Sequence, residues 1–171
     1  MGMIIVGYPG IGKSTICGAN KGIIDLESSF FGSLPFWDIV YVSVAIDLAT
    51  QGYDVLISSH ERVINTLNTY DRKGIEVGVI FPDASEEMRE KWTQKLKKRY
   101  EQSRENKDVP FAVVKKNYRA LSRAEQYYQS DIQKLMAMDT GSDFHKYIIH
   151  DIDYDLESII KELKNVRKEN E

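Results

Sequence analysis

Several things this sequence lacks narrow its reading first. It has one cysteine, Cys17, so no internal disulfide can form and a zinc site made of cysteines alone is excluded. No apolar run approaches the roughly 20 residues a helix needs to cross a bilayer. Neither sign of charge dominates: 23 basic and 26 acidic side chains leave a net charge of −3. That balance supplies no general drive toward nucleic acid, and only a local basic patch would serve such binding. There is no internal repeat and no low-complexity linker. The chain opens on a strand-like run without the basic region of a signal peptide, so the expectation is a cytoplasmic protein. At 171 residues, 42% apolar and 29% charged, it has the size of one globular domain with a sizeable core.

Periodicity and turn residues then set out the elements. Met3 to Val6, Gly22 to Leu26, Tyr53 to Ile57, Ile75 to Phe81 and Lys146 to His150 read as strands. Lys13 to about Ala19 reads as a short helix closed by the turn Asn20-Lys21-Gly22. Phe36 to Gln51 is the next helix, with Trp37, Val40, Tyr41, Val44, Ala45 and Leu48 at helical spacing and Gly52 as its cap. Glu61 to Lys73 is a third, closed by Gly74. Asp83 with Glu86 resembles a capping box opening a long charged helix to about Arg104. Pro110 suits the first turn of another helix reaching about Met138, and Asp153 caps a last helix to about Lys168. Strand and helix alternate, so the expected class is α/β with a parallel sheet covered by helices. The charged pair from 83 to 138 interrupts the rhythm and is expected as an appendage within a single domain of residues 1–171.

Gly7-Tyr8-Pro9-Gly10-Ile11-Gly12-Lys13-Ser14 matches G-x-x-x-x-G-K-[ST] at every fixed position, with a strand before it and a helix after it. Phosphates need inward-pointing backbone N–H groups, and these require small residues with permissive dihedrals, which Gly7, Gly10 and Gly12 supply. Gly10, Ile11, Gly12, Lys13, Ser14 and Thr15 are the expected nucleotide-binding residues. The start of the following helix adds its positive dipole end. Lys13 is placed to reach the β- and γ-phosphates, Ser14 to ligate Mg²⁺ through its hydroxyl, and Thr15 to meet the phosphate nearer the base.

Ligands of open parallel sheets bind beyond the carboxyl ends of the strands, so the acceptor belongs near Ile24-Asp25-Leu26-Glu27-Ser28-Ser29. Asp25 is the candidate general base or indirect Mg²⁺ holder, and Glu27 the candidate acceptor-binding residue; a solvated strand end or helix cap is the alternative. Arg62 follows the third strand, and its forked guanidinium suits an anionic acceptor. His60 is assigned no role. Phe30, Phe31, Phe36 and Trp37 suit either stacking on a base or packing under a loop. Of the cations on the helical pair (Lys95, Lys97, Lys98, Arg99, Arg104, Lys115, Lys116, Arg119 and Arg123), Arg99 is the first candidate to stabilise charge during transfer.

With Lys13, Asp25 and the helical pair in place, the chain resembles the P-loop kinases, a group that includes nucleoside monophosphate, shikimate and gluconate kinases and phage polynucleotide kinase. The run Ile-Asp-Leu-Glu-Ser-Ser is also similar to small kinases encoded by bacteriophages. The resemblance implies a three-layer fold with a five-stranded parallel sheet, a helical lid at about 85–128, and ATP with Mg²⁺ as donor. It implies adenine contacts from His150 to Asp153. Asp25-Leu26-Glu27 is similar to the D-x-D of hydroxyl-phosphorylating kinases. Ser58-Ser59-His60-Glu61-Arg62 occupies the place of D-G-F-P-R in adenylate kinases, with only the arginine kept and Ser58 replacing the acidic Walker B residue. The expected function is transfer of the γ-phosphate of ATP to a nucleoside or nucleotide. A nucleic-acid hydroxyl as acceptor, or a non-catalytic nucleotide-binding regulator, stands as the alternative. No membrane partner is expected.

Overall fold

The computed structural model describes residues 1–19, 22–138 and 141–169. Asn20 and Lys21 of the expected turn lie outside them, while Gly22 takes φ 108. Five strands form one parallel sheet: β1 (Ile4–Gly7), β2 (Ile23–Asp25), β3 (Asp54–Ser58), β4 (Val77–Pro82) and β5 (Phe144–Ile149), in the order β2-β3-β1-β4-β5. The Val77 N–H donates to Asp143 O and the Asp83 N–H to Ile149 O, the same spacing along both strands, so β5 runs alongside β4 in the same direction. Ile4, Ile5 and Val6 are fully buried, as are Val55, Leu56 and Ile57. Continuous rather than alternating apolar runs are what a sheet covered on both faces requires.

The chain divides into two compact units, one of Met1–Ile80, Asp139–Tyr147 and Asp155–Glu171, the other of Phe81–Met138 and Ile148–Tyr154. In the first unit lie α1 (Lys13–Ala19), α2 (Trp37–Thr50), α3 (Glu61–Thr69) and α6 (Leu156–Glu169); in the second lie α4 (Glu86–Glu105) and α5 (Phe111–Ala137).

One face of the first unit's sheet receives α6. A Cβ on Gly78 would meet Leu163 Cδ1 at 2.9 Å, and Lys164 pairs with Asp54 at 2.7 Å. The α2 helix lies against β1 and β3. Its buried side chains are Tyr41, Val42, Ala45, Ile46 and Ala49, one position off the stripe expected from spacing. The helix is apolar nearly all round, so periodicity alone does not select which face turns inward.

Three caps also differ from expectation. α3 stops at Thr69, where Tyr70 turns extended. Gly74 therefore closes the following loop, in which Arg72 is drawn to Asp143 at 2.7 Å and over the Phe144 ring at 4.2 Å. α4 is capped by Ser85, whose Oγ accepts from the Met88 N–H at 3.1 Å, while Asp83 Oδ1 accepts from the Ser85 N–H at 2.9 Å. α6 begins after Asp155, whose carboxylate accepts from Ser158 Oγ at 2.5 Å; Asp153 instead donates its N–H to Asp151 in the preceding turn. Among the described residues no helix is long and apolar enough to cross a membrane.

Candidate functional site

The loop between β1 and α1 is shaped by what its glycines permit. Gly10 and Gly12 take φ 94 and 100, a region a side chain reaches only with strain. A Cβ on Gly7 would lie 2.4 Å from Ile11 Cδ1 and 3.2 Å from Lys13 Cδ. A side chain there would have to displace the buried Ile11 from its place over the end of β1. Ile11, 2% exposed, pins the loop to the core, and its N–H donates to Tyr8 O at 3.3 Å. Its part in any ligand site is therefore backbone geometry. Lys13 crosses the loop, donating from Nζ to Gly7 O at 2.8 Å. Ser14 and Thr15 are exposed at the start of α1.

Register decides what stands across from this loop. Gly7 pairs with Ser58 on one side and Ile80 on the other. Asp25 pairs with Leu56, which pairs with Ile5, so Asp25 lies two residues short of the Gly7 row. Continuing the same register brings Glu27 to that row, beside Ser58. Asp25 sits against α1: its backbone N–H donates toward the Cys17 thiol, and burial, then its carboxylate, pushes that thiol up to about 11.

A residue that sequence reasoning counted only as core organises this edge. The Tyr41 hydroxyl donates to Leu26 O at 2.6 Å and accepts from the Ser58 N–H at 3.0 Å, tying the ends of β2 and β3 together. Burial, then the charges of Asp25 and Glu27, holds its phenol well above the ordinary range. Ser58 Oγ accepts from the His60 N–H at 3.2 Å. His60 caps α3, its Nδ1 accepting from the Arg62 N–H at 3.2 Å.

Arg62 has a partner that no local pattern announced. Its guanidinium bonds Asp38 Oδ1 at 2.7 Å and lies 5.4 Å over the Trp37 ring, while Thr66 Oγ1 donates to Asp38 Oδ2 at 2.7 Å. These contacts, Thr66 first, hold the Asp38 carboxyl below its usual range.

The second unit carries the remaining candidates. Arg99 is exposed on α4. Near it, Lys95 lies 4.5 Å over the Trp92 ring and 4.8 Å over that of Tyr154, donating to the Tyr154 hydroxyl at 2.9 Å. Burial, then the charge of Arg99, pushes the Lys95 ammonium down to about 8. Arg123 makes a forked pair with Asp131, both bonds at 2.8 Å. In the 150–153 turn His150 Nδ1 meets Asp83 Oδ2 at 2.8 Å. Among the described residues no three His, Cys, Asp or Glu side chains cluster to hold a metal ion. No family model matches the chain, and no curated protein matches it in sequence.

Proposed function

We propose that this chain is an ATP-dependent phosphotransferase with the three-layer fold of P-loop kinases, acting on a nucleoside or nucleotide acceptor. The observation that carries this reading is the Gly7–Ser14 loop: two glycines at positive φ, a third where a Cβ would crowd the Ile11 side chain, and Lys13 folded across them. Such a loop turns successive N–H groups toward an anion, and a lysine at that position adds a point charge that follows the phosphate. The sheet order supports it too. The chain leaves β1 to build β3 and β2 on one side, then crosses to β4 and β5 on the other. The carboxyl end of β1 is therefore the crevice where doubly wound sheets bind ligands.

Asp25 and Glu27 are the carboxylates at that edge, Asp25 ending β2 and Glu27 two residues beyond it. In this reading one of them accepts the proton of the attacking group. Mg²⁺ fits as an ion that arrives with the nucleotide. It keeps most of its waters and takes few protein ligands, and the exposed Ser14 hydroxyl suits one such position; it would neutralise charge on the phosphates.

The test is binding of a non-hydrolysable ATP analogue, followed by single-turnover transfer. Lys13→Ala should lower kcat by about 10²- to 10³-fold, the range for removal of one electrostatic donor to a developing charge. Its melting temperature should stay near that of the parent. A folded Lys13→Ala protein with parental turnover would end the donor-site reading.

A further inference from the structure

The carboxyl ends of β2 and β3 are joined by a side chain where a backbone bond is due. Asp54 donates its N–H to Gly22 O at 2.9 Å, and Leu26 donates its N–H to Leu56 O at 3.0 Å. Bonds of a parallel pair recur evenly along both strands. The next donor of that series is the Ser58 N–H, and the next acceptor is Leu26 O. In place of a direct bond, the Tyr41 hydroxyl stands between them, accepting from the Ser58 N–H at 3.0 Å and donating to Leu26 O at 2.6 Å.

Both residues that the hydroxyl joins have neighbours in the proposed site. Ser58 pairs with Gly7, where the Gly7–Ser14 loop begins. Leu26 lies between Asp25 and Glu27 in the chain. The gap between Leu26 and Ser58 therefore sets how far the carboxylate-bearing end of β2 stands from the start of the loop. Tyr41 itself is buried on α2, with Phe31 edge-on to its ring at 5.3 Å and Trp37 at 6.3 Å. Burial is the main reason that its phenol keeps its proton, and the charges of Asp25 and Glu27 reach it and act in the same direction. A hydroxyl that keeps its proton and commits it to a backbone carbonyl is neither acid nor base. Its role is geometric.

We infer that Tyr41 is a positioning residue for phosphoryl transfer, its hydroxyl setting the distance between the carboxylate end of β2 and the Gly7–Ser14 loop. This inference rests on the phosphotransfer reading and adds the residue that aligns its acceptor side with its donor side. In the step, the attacking oxygen bonds to the γ-phosphorus of ATP and the bond from that phosphorus to the β,γ-bridging oxygen breaks. ADP leaves with the electron pair, and any proton of the attacking group passes to one of the two carboxylates and then to solvent. The reacting atoms must be held close and aligned, and a misplacement of about 1 Å costs about 10²-fold. Without the Tyr41 hydroxyl, the Ser58 N–H and Leu26 O would satisfy each other directly, as buried backbone groups require partners. Closing that bond draws the end of β2 toward β3 and carries Asp25 and Glu27 with it. The effect should fall on the rate and not on ATP binding.

The experiment measures steady-state transfer from labelled ATP and Mg²⁺ to a panel of nucleosides and nucleoside monophosphates, with binding of a non-hydrolysable ATP analogue in parallel. It compares the parent, Tyr41→Phe and Asp54→Ala in sucrose, which favours the folded state of all three alike, at a temperature where circular dichroism shows them folded. Asp54→Ala is the control for lost stability, since it removes hydrogen bonds at the opposite end of the sheet. Tyr41→Phe keeps the ring and should lower kcat about 10- to 100-fold on the acceptor that the parent uses, with the KM for ATP and the analogue affinity little changed. Asp54→Ala should keep the parental kcat. A parental kcat in Tyr41→Phe overturns the inference and leaves the phosphotransfer reading standing. So does an equal loss in Asp54→Ala, which marks the effect as one of stability. Weakened analogue binding with kcat retained overturns it as well, by tying the hydroxyl to the donor loop. Absence of analogue binding or of transfer in the parent overturns the phosphotransfer reading and this inference with it.

Discussion

At the amino end of the first unit's sheet, Asp54 accepts from the Met3 N–H at 3.1 Å and from Lys164 at 2.7 Å, and Arg72 pairs with Asp143 at 2.7 Å. At the carboxyl end, Gly10 and Gly12 hold positive φ, Phe36 does so against its own sterics, and Phe30 stands in solvent. Positive φ is found at both ends, since Gly22, Gly52, Lys73 and Gly74 precede β2, β3 and β4, but among the described residues only the carboxyl end sets an exposed aromatic ring, Phe36, in that conformation. Strain persists only where the surrounding structure over-determines it and tends to cluster where ligands are handled. If the carboxyl end handles the ligand, substitutions there should act on activity, and those at the amino end on stability.

The sharpest way to break this contrast is at the carboxylates. A hydroxyl has a pKa too high to lose its proton unaided, so a positioned base contributes about 10²- to 10⁴-fold. Asp25→Asn is expected to lose more than about a hundredfold in kcat, with ATP affinity little changed, and Arg62→Ala to lose far less. A large Arg62→Ala effect beside a small one for Asp25→Asn would favour an anionic acceptor. Running Glu27→Gln in the same assay asks which carboxylate takes the proton, since Asp25 pairs with Leu56, two residues short of the Gly7 row, and Glu27 follows it by two.

The amino end should respond in stability instead. Asp54→Ala leaves the Met3 N–H without its acceptor and Lys164 without its partner, in a residue 6% exposed. A loss of about 2–3 kcal/mol is expected by denaturant titration, in the range for hydrogen bonds to a charged group, with analogue affinity unchanged at temperatures where the variant is folded. Impaired binding in the folded variant would show that the two ends are not separate in role. Phe36→Gly carries the opposite sign: relief of the left-handed conformation should stabilise the protein by about 1 kcal/mol. The same melt checks it, and a loss of stability would mean that the ring serves the fold.

How far the sequence alone reached follows from the range of the interactions. The loop from Gly7 to Ser14 was legible because its chemistry is local: glycine dihedrals, one lysine, and a strand and helix immediately on either side. The parallel sheet was legible from short buried apolar runs alternating with helices. The Tyr41 clamp joins Leu26 and Ser58, and the Asp38 contact joins α2 to Arg62 and Thr66 on α3. Neither leaves a local trace, because each depends on how separate elements are set side by side. The inward face of α2 lies one position off the expected stripe because ten of its fourteen residues are apolar and occupy most of its circumference. Register, which separates the rows of Asp25 and Glu27, is likewise a property of pairing.

The smallest expected effect tests the placement of Asp25 without any substrate. Cys17 is half-buried beside Asp25, and burial first, then the Asp25 carboxylate, pushes its thiol up to about 11. The thiolate is the species that reacts with alkylating agents, and the ordinary cysteine pKa is about 8.5. Near pH 8 a thiol of this kind is therefore almost wholly protonated, and alkylation should be many-fold slower than for an exposed cysteine. The greater nucleophilicity of a high-pKa thiolate offsets part of that loss. Raising the pH should increase the rate through about 11, where the thiol is half ionised, and level it off above that. Asp25→Asn removes the neighbouring charge and leaves burial in place, so the midpoint should move down and the rate near pH 8 rise a few-fold. Glu27→Gln should change the rate less, because Glu27 is not among the causes of the Cys17 shift. Equal responses to the two substitutions would mean that Asp25 does not pack against α1, and the register argument separating its row from that of Glu27 would fail.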